Sequence, residues 1–111
     1  MNRMLNTDPL AVNIATANTA VPVLVPYGAN VARIYFESGM TSCTVSVKEA
    51  FDNGEFTTAT PITYDIYGNT MPTSYTGDTR VEVFVSGVGK SSLNISTNQT
   101  QTKKCHVIFT S

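Results

Sequence analysis

Gly89-Lys90-Ser91 matches the end of a phosphate-binding loop, in which backbone N–H groups cradle a phosphate and the lysine reaches its oxygens. The full motif also needs a glycine five residues before the Gly-Lys pair and a helix whose N-terminus faces the anion. Phe84 stands at that glycine position, and the residues after Lys90, "SSLNIS", alternate like a strand. The tripeptide therefore reads as a turn in a β-hairpin rather than a nucleotide site.

His106 is the only histidine, so any histidine-dependent mechanism must rest on it. Its neighbour Cys105 shares a phase with Val107 and Phe109, as Cys43 does with Val45 and Val47. Successive strand residues face opposite ways, so both thiols are expected in the core and His106 on the outside, which leaves no metal-ligand set. Unpaired thiols are favoured over a bond between the two strands, because no secretory signal precedes them. A glycosidase needs two carboxylates at a set separation; Asp65 with Glu82 could be set on one outer sheet face, but nothing in the pattern brings them together. No Gly-x-Ser-x-Gly elbow is present. The expectation is a chain with no catalytic centre, cofactor or metal. Asn94-Ile95-Ser96 and Asn98-Gln99-Thr100 fit the glycosylation acceptor pattern, which chance produces readily in a chain so rich in Asn, Ser and Thr.

These residues are carried by a period of two. In "VARIYFE", Ala32, Ile34 and Phe36 share one face while Arg33, Tyr35 and Glu37 share the other; "CTVSVKE", "RVEVFVS" and "SLNIS" repeat the alternation. Turn chemistry separates the runs at Ser38-Gly39, Asp52-Asn53-Gly54, Tyr67-Gly68-Asn69, Gly77-Asp78 and Gly87-Val88-Gly89. At most one helical turn fits, within "VKEAFDNGEF". Strands are predicted around Ala11–Ala15, Val21–Val25, Val31–Glu37, Cys43–Glu49, Phe56–Tyr67 (bent at Pro61), Arg80–Ser86, Ser92–Thr97 and Cys105–Thr110. The fold class is all-β: an antiparallel two-sheet sandwich of seven or eight strands, jelly-roll or immunoglobulin-like, with Ile34, Phe36, Val45, Val47, Val81, Val83, Val85, Leu93 and Ile95 in the core. Residues 1–20 read as an N-terminal arm and residues 21–111 as the sandwich.

The chain has 111 residues, 14% of them charged, with 7 basic and 8 acidic side chains and a net charge of −1. A domain of this length folds without a staple. The longest basic run is Lys103-Lys104, which gives no electrostatic basis for capturing nucleic acid or an anionic membrane. No stretch approaches the roughly twenty apolar residues of a membrane span, and "MNRMLNTDPL" lacks a signal-peptide core. The protein is expected to be soluble and made in a cytoplasm. Among the aromatics, Tyr64 shares a face with Ile62 and Ile66 and is expected in the core, whereas Tyr35, Tyr67, Tyr75 and Phe84 fall at outward or turn positions. Residues there could anchor a partner or stack on a sugar ring, although Trp is absent.

Taken together, "VARIYFESGMTSCTVSVKEAFDNGEF" followed by "TRVEVFVSGVGKSSLNIS" resembles the small β-sandwich proteins of tailed-bacteriophage virions, which decorate capsids, form head fibres or sit as modules on tails. The resemblance spans roughly Val31 to Thr97. It implies a non-enzymatic virion surface protein, made in the host cytoplasm, that acts by multivalent contacts with copies of itself (a trimer favoured) and with a shell or tail protein. In such proteins an N-terminal arm often makes the contact. By position this points to Met4, Leu5, Leu10 and Val12, with Tyr35, Tyr67 and Tyr75 as further interface candidates. The alternative expectation is a carbohydrate- or receptor-binding sandwich on a tail or adhesin.

Overall fold

The computed structural model describes residues 7–14, 17–51, 55–56, 64–65, 67–72, 74–85, 91–98 and 103–111. Among these are eight strands: β1 (Leu10–Asn13), β2 (Val21–Leu24), β3 (Val31–Phe36), β4 (Thr44–Phe51), β5 (Glu55–Phe56), β6 (Thr79–Phe84), β7 (Ser91–Ser96) and β8 (Lys104–Thr110). They form two four-stranded antiparallel sheets in the orders β1-β8-β3-β6 and β2-β7-β4-β5. The pairings β1 with β8, β2 with β7, β3 with β6 and β4 with β5 are nested, as if one long hairpin had been rolled into a sandwich. That order is the jelly roll, and it decides between the two sandwich types expected from the sequence.

Alternation builds the core. Ala32, Ile34 and Phe36 of β3, Val81 and Val83 of β6, Cys105, Val107 and Phe109 of β8, and Leu93 and Ile95 of β7 all turn inward and join one buried cluster spanning both sheets. Val45 and Val47 lie partly buried against it. Fully burying a side chain such as Leu93 contributes about 2 kcal/mol from removed apolar surface, so the cluster supplies the main force holding the sheets together. Cys43 and Cys105 are buried free thiols. Burial pushes the Cys105 thiol up to about 12 and raises Cys43 as well, so neither is a ready nucleophile. Pro22 is tolerated because β2 is an edge strand, where its missing N–H leaves no ladder bond unmade.

Four expectations change. The stretch from Thr79 to Ser96 is not a hairpin, because β6 and β7 belong to different sheets; alternation reports facing but is blind to which strand lies beside which. The region ahead of residue 21 is not wholly an arm: β1 pairs with β8 from Leu10↔Val107 to Asn13↔Lys104, and Ile14 is fully buried. The stretch "VKEAFDNGEF", where at most one helical turn fitted, carries β4 on as far as Phe51, two residues beyond the predicted strand. Of the predicted Phe56–Tyr67 strand, residues 57–63 lie outside the described residues, β5 is Glu55–Phe56, and Tyr64 forms an isolated bridge with Thr70, its side chain exposed rather than in the core. Ile62, Ile66 and Pro61 lie outside the described residues.

Candidate functional site

The outer face of the β1-β8-β3-β6 sheet brings charged, phenol and imidazole side chains together on adjacent strands. Register places His106 of β8 beside Tyr35 of β3 and Tyr35 beside Arg80 of β6, while the next row reads Ile108, Arg33, Glu82. These six outward residues form a grid of two rows and three strands, and they line a shallow groove of about 290 Å³. Strand twist dishes the sheet surface, and the long side chains at the corners wall the hollow.

Charge within the groove is unevenly matched. Arg33 Nε lies 3.7 Å from Glu82 Oε1, a cross-strand ion pair between exposed side chains. The Tyr35 hydroxyl donates to Asp78 Oδ1 at 3.1 Å, and that bond, with lesser help from desolvation and nearby carboxylates, raises the phenol above its ordinary pKa. His106 Nε2 meets Glu37 Oε2 at 2.7 Å, while the Lys104 backbone N–H donates to Glu37 Oε1 at 3.0 Å. The contact with His106 is the main reason that the Glu37 carboxyl is held below its usual range. His106 therefore does face outward, but it is half-buried and held by a carboxylate. The Tyr35 and His106 rings lie 6.1 Å apart at an interplanar angle of 30°, a side-by-side aromatic floor. The Arg80 guanidinium has no ion pair or hydrogen bond among the described residues.

Of the interface candidates, Tyr35 joins the grid. Tyr67 is 83% exposed at the tip of the turn that follows Tyr64. Tyr75 is not outward as expected: it stacks on Phe36 with centroids 6.1 Å apart and packs against the core. Val12 points into the core at 5% exposure and is closed to any partner, whereas Leu10 stands half-exposed on the sheet edge. Met4 and Leu5 lie outside the described residues, as do Gly89 and Lys90 of the phosphate-loop tripeptide. Asp65 and Glu82 are each held by a different partner. Asp65 Oδ1 accepts from the backbone N–H groups of Tyr67 and Asn69, both at 2.9 Å, and closes its own turn, while Glu82 faces Arg33. No group of three or more His, Cys, Asp or Glu that could hold a metal occurs among the described residues. Asn94, in one acceptor pattern, lies half-buried on β7 and donates from Nδ2 to the Ser92 carbonyl.

Two apolar areas flank the sandwich on opposite sides. On one, the edge strands β1 and β2 border a groove of about 440 Å³ lined by Leu10, Pro22 and the 67%-exposed Leu24. On the other, Phe84 at the end of β6 is 51% exposed, and its N–H donates to the carbonyl of Tyr64, whose ring shares a hollow with it. A period of two marks Arg33, Arg80 and Phe84 as outward, but only strand order brings Arg80 next to Tyr35 and His106 or sets Leu24 apart from Phe84. No protein-family model, curated protein or solved structure matches the chain.

Proposed function

We propose that this chain is a non-enzymatic structural protein of a bacteriophage virion, of the capsid-decoration, cement or head-fibre type, and that it works by repeated protein contacts. The observation that carries this reading is the pair of unlike apolar areas on opposite flanks, Leu10, Pro22 and Leu24 on one and Tyr64 and Phe84 on the other. Clustered exposed apolar side chains mark contact surfaces. A surface on one side that fits a different surface on the other gives a head-to-tail contact, which closes into a ring such as a trimer when the rotation permits. The resemblance to virion sandwiches supplies the particle, and the near-neutral net charge of −1 opposes association little.

Light scattering of the purified protein, alone and with phage shells, tests the reading. The expected result is a closed oligomer that Leu24→Ser and Phe84→Ser each dissociate at least tenfold more readily while the melting temperature changes little. Removing residues 1–6, which carry Met4 and Leu5, should weaken shell attachment. A monomer at all concentrations that binds no shell would reject it. A second reading, a carbohydrate- or receptor-binding module, is favoured by one feature, the polar groove on the outer face of the β1-β8-β3-β6 sheet.

A further inference from the structure

We propose that the Tyr35–Arg80–His106 row is a binding site for a carboxylate-bearing sugar, a uronic-acid type of residue. The proposal rests on the recognition reading rather than on assembly, and it begins from charge. Three of the polar groups in the groove already have partners: Arg33 with Glu82, Tyr35 with Asp78, and His106 with Glu37. Arg80 also lines the hollow, and among the described residues its guanidinium has no carboxylate partner. Asp78 lies two residues before it in the chain but is engaged by the Tyr35 hydroxyl, and Glu82 is drawn toward Arg33. An unpaired guanidinium beside an open groove is a fork for a planar carboxylate, which it grips with two parallel N–H···O bonds.

The floor and the size of the groove narrow the class further. Tyr35 and His106 lie edge by edge at 6.1 Å, and Ile108 sits in the adjoining row. A pyranose presents an apolar C–H face that packs on such an aromatic floor while its hydroxyls stay at the rim. The volume of about 290 Å³ is at the small end of ligand clefts, enough for one ring and not for an extended chain. In this arrangement the sugar lies over Tyr35 and His106 and its carboxylate meets Arg80. The Arg33 N–H groups that Glu82 does not take are left to donate to a hydroxyl. Glu37, by fixing the His106 ring from the side, is a positioning residue and touches no ligand.

Titration of the whole protein, followed by two-dimensional NMR of the backbone amides, tests the site with sodium glucuronate, glucose and sodium acetate as separate probes. Glucuronate should shift the amides of residues 33–35, 80–82 and 106–108 with a dissociation constant on the order of 1 mM, the range open to a ligand of about a dozen heavy atoms. Glucose and acetate should each bind at least tenfold more weakly, since each offers only half of the contacts. Arg80→Gln should weaken glucuronate at least tenfold, Arg80→Lys less, and raising salt should weaken it in the parent protein. The melting temperature of each variant checks that the exposed change leaves the fold intact. Acetate binding as tightly as glucuronate, or glucuronate unaffected by Arg80→Gln, would overturn the site. Glucose bound elsewhere, regardless of Arg80, would sink the site and leave the recognition reading standing; no binding of any sugar would sink both. Loss of self-association in Arg80→Gln would reassign the guanidinium to a protein carboxylate on a second copy.

Discussion

The two ends of this sandwich are built differently. At the end where β3 leaves and β8 enters, the connections are stitched to one another. Gly77 N–H donates to the Met40 carbonyl at 2.6 Å, Asp78 N–H to the Phe36 carbonyl at 2.8 Å, and Cys43 and Tyr75 exchange both backbone bonds at 2.8 Å. The Thr97 hydroxyl donates to the Thr41 carbonyl, Asn18 N–H to the Thr97 carbonyl, and Lys103 Nζ to the Ser38 carbonyl. Among the described residues, the three non-glycine positions with positive φ, Asn18, Ser42 and Asp78, all sit here, a conformational cost that the surrounding bonds offset. At the opposite end, Tyr27 is 86% exposed in the β2–β3 turn, and Leu24 and Phe84 end their strands in the open. Among the described residues the first end carries the denser set of loop-to-loop bonds, whereas the second, tied by Asn30 N–H to the Thr110 carbonyl and Val85 N–H to the Asn30 carbonyl, exposes large apolar groups. A jelly roll does not require this asymmetry.

The sharpest way to break the comparison is a matched pair of glycine substitutions. A Cβ on Gly77 would lie 2.5 Å from the Glu37 carbonyl oxygen, 2.7 Å from Met40 N and 2.8 Å from Gly39 N, all backbone atoms of a bonded loop. Gly77→Ala should therefore cost about 3 kcal/mol, the upper part of the overpacking range. Gly28, at the open end, has φ +90 with nothing within 4 Å of where a Cβ would stand, and it occupies the left-handed position of the turn closed by Ala29 N–H to the Pro26 carbonyl. Gly28→Ala should cost only the backbone strain, about 1 kcal/mol. Thermal unfolding reads both. Equal losses would mean that the stitched end is no tighter than the open one.

Tyr75 sharpens the same contrast in the other direction. Its ring stacks on Phe36, yet its hydroxyl is buried with no partner among the described residues. An unpaired buried hydroxyl costs free energy that its removal recovers. Tyr75→Phe should raise stability by up to about 1 kcal/mol, seen as a higher denaturant midpoint with an unchanged slope. A lower midpoint would show that the phenol has a partner after all.

What can be read from the sequence depends on distance along the chain. Facing is local, so the alternation of "VARIYF" and "RVEVFV" is enough to place Ile34, Phe36, Val81 and Val83 inside and Arg33, Tyr35 and Arg80 outside. Neighbourhood is not local. The partner of β1 is β8, at the far end of the chain, and no short pattern near Leu10 announces it. The same limit hides the site: Tyr35, Arg80 and His106 come from three strands whose order only the rolled-up topology sets, and Glu37 reaches His106 across 69 residues of chain. Tyr75 escapes a periodic reading because a residue between turns has no period, whereas its burial follows from a bridge to Cys43.

The smallest expected effect belongs to Glu37, which ties the stitched end to the polar face. The contact with His106 Nε2 comes first in lowering its pKa, followed by the Lys104 N–H. A carboxyl with a lower pKa folded than unfolded binds fewer protons in the native state, so it contributes stability above the unfolded value, about 4.3 for glutamate. That contribution fades as pH falls from there through the lowered folded value. Asp65, lowered chiefly by the Asn69 N–H, acts in the same acid window from the other flank. Both groups face solvent, so each effect is modest and screened by salt. Urea unfolding at several acidic pH values should show the parent losing stability more steeply than Glu37→Gln, whose amide does not titrate there, with Asp65→Asn flattening the remainder. Parallel acid limbs in parent and Glu37→Gln would mean that the carboxylate is no better held folded than unfolded, and the link between the stitched loops and the His106 row would fall with it.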